Sequence, residues 1–316
     1  QRAFSHHYGF DCKMTGLVIK NTGNDYLVRT KDGATTLCRM KGSFRIKGIK
    51  STSPVVVGDR VDFDETGYIT KLHDRKNYIV RKPTNLSKQL HILAANIDQA
   101  MLVITLKQPV TLTIFIDRFL ATAEAYRIPT ILVFNKIDLL ENDELDYLEA
   151  LTYLYESIGY QCLHIVAEQG KGLAQLRNLL NGKITLLSGN SGVGKTTIIN
   201  HVVPDGDAKI GEISASHLKG VHTTTFSEMY EVAPDTFIID TPGIKGFGMV
   251  DMDENEIGHF FPEIFKASKK CYFGNCSHRH EPDCAVLKAL SEHRIAQSRY
   301  ESYLSILEDV NEGKYR

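Results

Sequence analysis

The chain contains no tryptophan and only six cysteines in 316 residues. Nor does it hold an apolar run approaching the roughly 20 residues that a bilayer-crossing helix needs. The short supply of cysteine excludes a disulfide-built secreted scaffold, and the missing apolar run excludes a helical membrane protein. No secretory apolar segment stands at the N-terminus, so a cytoplasmic location is expected. Charge of neither sign dominates, with 37 Lys and Arg against 38 Asp and Glu. The balance is uneven along the chain, however. Residues 14–92 carry 15 basic and 7 acidic side chains, a net of +8, and residues 93–316 carry −10. A basic module on an acidic body points to an anionic partner for the module, with nucleic acid as the first choice.

What is present is more specific. Gly189-Asn190-Ser191-Gly192-Val193-Gly194-Lys195-Thr196 fits the phosphate-binding pattern G-x-x-x-x-G-K-[ST] at every fixed position. Residues 183–187 ahead of it read as a buried strand, and the residues from Thr197 onward can start a helix. Glycines let successive backbone N–H groups turn toward phosphate oxygens, and the helix N-terminus adds partial positive charge. Lys195 is expected on the β and γ phosphates and the Thr196 hydroxyl on Mg²⁺, so both enter the catalytic set.

Asn135-Lys136-Ile137-Asp138 follows a second buried strand, Thr130–Phe134. A carboxylate placed like Asp138 accepts hydrogen bonds from guanine N1–H and the exocyclic amine. Adenine offers no such donor pair, so the expected nucleotide is GTP or GDP. Val166-Ala167 stands where GTPases often carry Ser-Ala, whose backbone contacts the base; valine weakens any side-chain role there. Residues 236–240 read as a strand that ends in Asp240-Thr241-Pro242-Gly243. Asp240 would hold Mg²⁺ through water, and the Gly243 amide would sense the γ-phosphate. Between these segments lie His222, Thr223, Thr224 and Thr225, and one of the three hydroxyls can complete the magnesium shell. Ile244 follows Gly243 where Ras-type enzymes have a water-orienting glutamine. Isoleucine cannot orient water, and His222 is the nearest candidate by motif.

The order of motifs is unusual. Ras-like GTPases place the phosphate loop first and N-K-x-D last, whereas here Asn135–Asp138 comes about 50 residues before Gly189. The implied central domain, residues 93–250, is therefore a circularly permuted P-loop GTPase with a parallel sheet and helices on both faces.

Residues 14–82 show five short alternating segments separated by turns such as Lys31-Asp32-Gly33, which predicts an N-terminal OB-fold β-barrel. Arg39, Lys41, Arg45, Lys47 and Lys50 with Phe44, and Arg75, Lys76, Arg81 and Lys82 with Tyr78, suit phosphate contact and base stacking. Residues 83–92 read as a linker. Residues 1–13 read as a disordered or vector-derived tail, with Met14 as a natural start.

At the other end, residues 251–316 form an expected mainly helical domain. Cys271, Cys276 and Cys284 supply three thiolates and His278 or His280 an imidazole, which fits one closed structural Zn²⁺ site. Residues 285–310 are expected to continue as one amphipathic helix.

Taken together, the basic barrel, N-K-x-D ahead of G-x-x-x-x-G-K-T, G-x-H-T-T-T, D-T-P-G and C-x4-C-x-H-x2-E-P-x-C resemble the RsgA (YjeQ/EngC) family over residues 14–310. The resemblance implies a GTPase, monomeric, that acts in late maturation of the small (30S) ribosomal subunit and contacts its 16S rRNA. It implies hydrolysis that is slow alone and faster on the 30S particle. It also assigns catalysis to His222 and metal ligation to Cys271, Cys276, His278 and Cys284. Two rival readings are kept. One is a slow GTP-controlled switch acting on another RNA or protein partner. The other is a GTPase whose barrel binds tRNA or single-stranded DNA.

Overall fold

The computed structural model describes residues 13–23, 25–40, 54–81, 91–204, 228–240 and 253–311. Alternating burial in the N-terminal strands makes a closed barrel. Its strands are β1 (Met14–Asn21), β2 (Asp25–Thr30), β3 (Thr35–Met40), β4 (Arg60–Phe63) and β5 (Tyr68–Leu72). β1 pairs with β2 and β4, β3 with β2 and β5, and β4 with β5, so the ring has no free edge. That is the OB-like barrel expected from the turn spacing. Inward positions Val18, Tyr26, Val28, Cys38, Val61, Phe63 and Ile69 fill it. β1 shifts register between Val18 and Lys20, an irregularity of the kind that lets a strand bend between two partners.

The basic residues of the barrel divide into two groups. Arg75 is not available for an outside phosphate: its guanidinium binds both carboxylate oxygens of buried Asp59, at 2.7 and 2.6 Å, and the Pro54 carbonyl at 2.9 Å. Lys76 pairs with Asp98, and Arg39 with Asp25. These ion pairs depend on tertiary partners that charge counting does not see. Lys41, Phe44, Arg45, Lys47, Lys50 and Lys82 lie outside the described residues, as do residues 1–12.

β6 (Tyr78–Arg81) and β7 (His91–Ala95) form an antiparallel pair. His91 and Ile92, the end of the stretch read as linker, are thus in a strand. The pair joins barrel to centre: Val57 of the barrel side bridges Ala94, and a side chain at Gly58 would meet the Ala95 carbonyl at 2.0 Å.

Six strands build the central sheet: β8 (Gln99–Ile104), β9 (Thr130–Phe134), β10 (Gln161–His164), β11 (Ile184–Ser188), β12 (Glu228–Ala233) and β13 (Thr236–Asp240). Their spatial order is β10-β9-β8-β11-β13-β12, parallel throughout except for β12. Continuous apolar runs are required because both faces are covered. Leu102, Ile104, Leu132 and Phe134 pack with α1 (Thr113–Ala125) and α2 (Asn142–Ile158). Met101, Val103, Ile131 and Val133 pack on the other face with α3 (Leu173–Leu180) and α4 (Lys195–Val202). β12, which the sequence pattern did not reveal, meets barrel strand β1 at Lys20 and Glu228 and so extends one ladder across both domains.

The C-terminal region is mainly helical, as expected: a 3-10 turn over Glu254–Phe260, α5 (Pro262–Ser268), α6 (Ala285–Ser291) and α7 (Gln297–Asn311). The single helix expected over 285–310 is two. His293 has a φ of 56°, and the Arg294 and Ile295 amides both turn back to the Ala289 carbonyl, which closes α6 before α7 begins.

This region is welded to α1 by buried charge. Arg299 and Asp117 have fully buried side chains and lie 2.8 Å apart. The Arg299 guanidinium also binds Glu263 at 2.6 Å, while Tyr155 and Ser302 donate to Asp117 at 2.9 and 2.7 Å. Among the described residues, no helix is long and apolar enough to cross a membrane. Asp117→Ala strands the Arg299 charge beside Glu263 alone. It is expected to cost about 3 kcal/mol, read as a lower urea midpoint.

Candidate functional site

The phosphate-loop residues Gly189–Thr196 connect β11 to α4 at the C-terminal edge of the parallel strands, where open α/β sheets carry their sites. Two glycines are required by contact. A side chain at Gly189, with φ of 144°, would meet the Val103 carbonyl at 2.5 Å. One at Gly194, with φ of 102°, would meet the Asn135 amide nitrogen at 2.4 Å. Lys195 folds over its own loop, its Nζ donating to the Gly189 carbonyl at 2.7 Å and the Asn190 carbonyl at 2.9 Å. Burial lowers the pKa of that ammonium, and Asp240 opposes the shift. Asp240 ends β13 directly beside Leu187 of β11, which brings it next to the loop. Ser191 and Thr196 are exposed and Thr197 is half-buried, on the open side of the site.

Asn135 connects three stretches of chain. Its Nδ2 donates to the Val193 carbonyl at 2.8 Å, and its Oδ1 accepts from the Ala167 amide at 3.0 Å. Lys136, in the left-handed region at φ 61°, donates from Nζ to the Gly192 carbonyl at 2.7 Å and the Gln108 carbonyl at 2.6 Å. Asp138 sits exposed in the 3-10 turn Ile137–Leu139, within reach of Gln169. Val166 is buried, and its backbone pairs with Lys171 in both directions at 3.1 Å. The structure therefore assembles the 135–138, 166–167 and 189–197 segments and Asp240 into one site.

Three participants were missed from sequence. Gln108 and Pro109, in the loop after β8, line the phosphate loop: Gln108 binds Lys136, and Pro109 lies 3.5 Å from where a side chain at Gly192 would start. Their position just past a central parallel strand was the available signal. Gln169 carries no motif at all. His222, Thr223, Thr224, Thr225, Gly243 and Ile244 lie outside the described residues.

In the C-terminal region the sulfur atoms of Cys271, Cys276 and Cys284 and a ring nitrogen of His278 all lie within 4.8 Å of one another. Individual separations are 3.9 Å for Cys271–Cys284, and 3.7 and 3.4 Å from His278 Nδ1 to Cys271 and Cys284. A tetrahedral zinc centre with bonds of about 2.3 Å has edges of about 3.8 Å, so the cluster is compatible with one. His278, not His280, is the imidazole in it. Burial pushes the Cys276 thiol up to about 12 and raises Cys284 as well, so metal binding would displace protons. Burial lowers the pKa of His278, which favours the neutral ligand form. The turn that carries these ligands is held from outside. Glu281 accepts from the Ser277, Arg279 and His280 amides at 2.5, 2.9 and 3.1 Å, and Tyr300 donates to the His278 carbonyl at 2.7 Å.

The sequence model of the RsgA GTPase family matches residues 72–250, and that of the RsgA N-terminal domain matches residues 15–69. The chain belongs to the RsgA GTPase family. It is similar to the small ribosomal subunit biogenesis GTPase RsgA of Bacteroides fragilis, with 60% identity over 307 residues that cover 96% of this chain and 99% of the relative. The corresponding protein of Porphyromonas gingivalis strain W83 is 56% identical over 312 residues, covering 96% of this chain and 99% of that one. Among solved structures, YjeQ from Thermotoga maritima superposes with a TM-score of 0.75 at 32% identity, covering 94% of this chain and 98% of that chain. YloQ, described as a circularly permuted GTPase, gives 0.76 at 28% identity with full coverage of both chains. Family membership implies GTP or GDP as ligand with Mg²⁺, and hydrolysis of GTP as the reaction class.

Gly194→Ala forces a side chain into the Asn135 amide at a backbone angle alanine avoids. It is expected to lower GDP affinity at least tenfold, about 1.4 kcal/mol, in a fluorescent-nucleotide titration.

Proposed function

We infer that this chain hydrolyses GTP to GDP and phosphate on the small ribosomal subunit and assists its late maturation as a cytoplasmic monomer. The observation that carries the reading is the Asn135 side chain, which joins the phosphate loop to the base-side turn at 166–167. Phosphate grip and guanine selection are thereby held in one frame, although their motifs are far apart in sequence. The relatives' names supply the particle, since those proteins are called small ribosomal subunit biogenesis GTPases.

In this reading the amides of Gly189–Gly194 cradle the phosphates and Lys195 leaves its two loop carbonyls for the β and γ phosphate oxygens. Thr196, Asp240 and one of Thr223–Thr225 would hold Mg²⁺. The ion, when bound, neutralises charge that builds on the phosphate oxygens. Asp138 reads guanine beside the Val166-Ala167 backbone. His222 orients the attacking water and draws its proton as the oxygen bonds to the γ-phosphorus and the bond to the β-bridging oxygen breaks. Gly243 senses the γ-phosphate, and loss of that contact after hydrolysis relaxes the segment leading to the C-terminal domain. Cys271, Cys276, His278 and Cys284 would hold Zn²⁺ with four protein ligands, which would give the ion a structural part. The barrel and the zinc domain together contact 16S rRNA.

GTP turnover measured with and without purified 30S subunits tests the function. At least tenfold stimulation is expected, and an unchanged rate overturns the ribosome assignment. His222→Ala is expected to depress stimulated turnover by about a hundredfold with GTP affinity near wild type. Metal analysis is expected to find one zinc per chain and to lose it in Cys284→Ser, with lower stability of the C-terminal domain.

A further inference from the structure

The base-side turn carries a side chain that no motif assigns. At position 166 valine has no hydroxyl, so this position cannot hold a neighbouring carboxylate by its side chain. Three residues on, Gln169 reaches across 31 residues of sequence and donates from Nε2 to Asp138 Oδ2 at 3.2 Å.

Both ends of this contact are anchored by backbone. On the Gln169 side, Val166 and Lys171 exchange two hydrogen bonds of 3.1 Å, and the Gln169 amide donates to the Val166 carbonyl at 3.1 Å. The Ala167 amide is held by Asn135 at 3.0 Å. On the Asp138 side, Lys136 is tied to Gly192 and Gln108, and the Leu139 amide returns to the Lys136 carbonyl at 3.1 Å. What remains free is the torsion of the exposed Asp138 carboxylate, and Gln169 acts on that torsion.

The chemistry of the partner matters. A carboxylate offers about four acceptor positions. Guanine needs both oxygens, one for N1–H and one for the exocyclic amine. An amide donor occupies one position, orients the group and leaves its charge intact. A lysine or arginine there would neutralise the carboxylate and compete with the base.

We propose that Gln169 is a positioning residue for guanine selection, fixing the Asp138 carboxylate so that both oxygens face the two donors of the base. The inference rests on Asp138 as the guanine reader. A base with only one of the two donors gains less from the fixed orientation, because a single hydrogen bond tolerates rotation of the carboxylate.

The test is isothermal titration of the full chain with GDP and with inosine diphosphate, which lacks the exocyclic amine. Gln169→Ala is expected to weaken GDP about threefold to tenfold and inosine diphosphate by clearly less, so that the preference between them narrows. Gln169→Glu is expected to weaken GDP further, since it replaces the donor with a second carboxylate. Equal losses for both nucleotides would reduce Gln169 to a structural role and overturn the proposal. So would GDP affinity unchanged in Gln169→Ala. Asp138→Asn, titrated in parallel, separates the two layers. If it loses GDP affinity while Gln169→Ala does not, the positioning role falls alone. If neither loses it, the guanine reading falls too.

Discussion

The side-chain amide of Asn135 is the constraint on which the site depends. It is buried, and both of its ends are used: nitrogen on the phosphate loop at Val193, oxygen on the base-side turn at Ala167. A buried amide left half-satisfied costs on the order of 1–3 kcal/mol, so the three segments are held together or lost together. Gly194 follows from the same contact, because any side chain there would occupy the space of the Asn135 nitrogen. The spacing between the 189–196 loop and the 166–167 turn is thus set by one residue rather than by two loops independently.

Permutation of the chain leaves this arrangement intact because it depends on which strand ends are neighbours, not on the order in which the chain visits them. β9, β8, β11 and β13 lie side by side, and all end at the same edge of the sheet. Permutation changes what the sheet is attached to. On one side β12 pairs antiparallel with barrel strand β1, with Arg29 and Glu231 paired across the junction at 2.5 Å. On the other, α1 carries Asp117 into the C-terminal core, where Arg299 meets it under full burial. Such a pair contributes little net stability compared with apolar packing, but breaking it leaves a charge with nowhere to go. It therefore specifies one docking of the C-terminal domain. The loop containing Gln108 and Pro109, which lies against the phosphate loop, leads directly into α1, the helix that holds this domain.

Much of this was readable from residue order. The apolar runs at 99–104, 130–134 and 184–188 are strands because two covered faces leave no polar alternation, and the barrel announced itself through period-two patterns between turns. The cysteine spacing located a cluster whose four ligand atoms the fold brings within 4.8 Å of one another. It could not choose between His278 and His280, because two imidazoles two residues apart differ only in the direction their turn points them. Folding chose, through Glu281 and Tyr300. Charge counting likewise marked residues 14–92 as basic but could not show that Arg75 is bound internally to Asp59.

The division has a physical reason. Composition, the phosphate-loop glycines, Asp138 and the cysteine cluster are local: each names its chemistry within a few residues, and that chemistry is independent of the rest of the chain. So the ligand class, the reaction class and the residue types of the Cys/His cluster were legible from sequence alone. Contacts between segments distant in sequence were not. Gln169 on Asp138, Gln108 on Lys136, Asp117 on Arg299 and the β1–β12 junction are separated by 28 to more than 180 residues. Only the closed sheet and its packed helices bring those pairs within hydrogen-bonding reach. Tertiary structure therefore decided which side chain meets the Asp138 carboxylate and how the barrel, the central sheet and the C-terminal helices are joined.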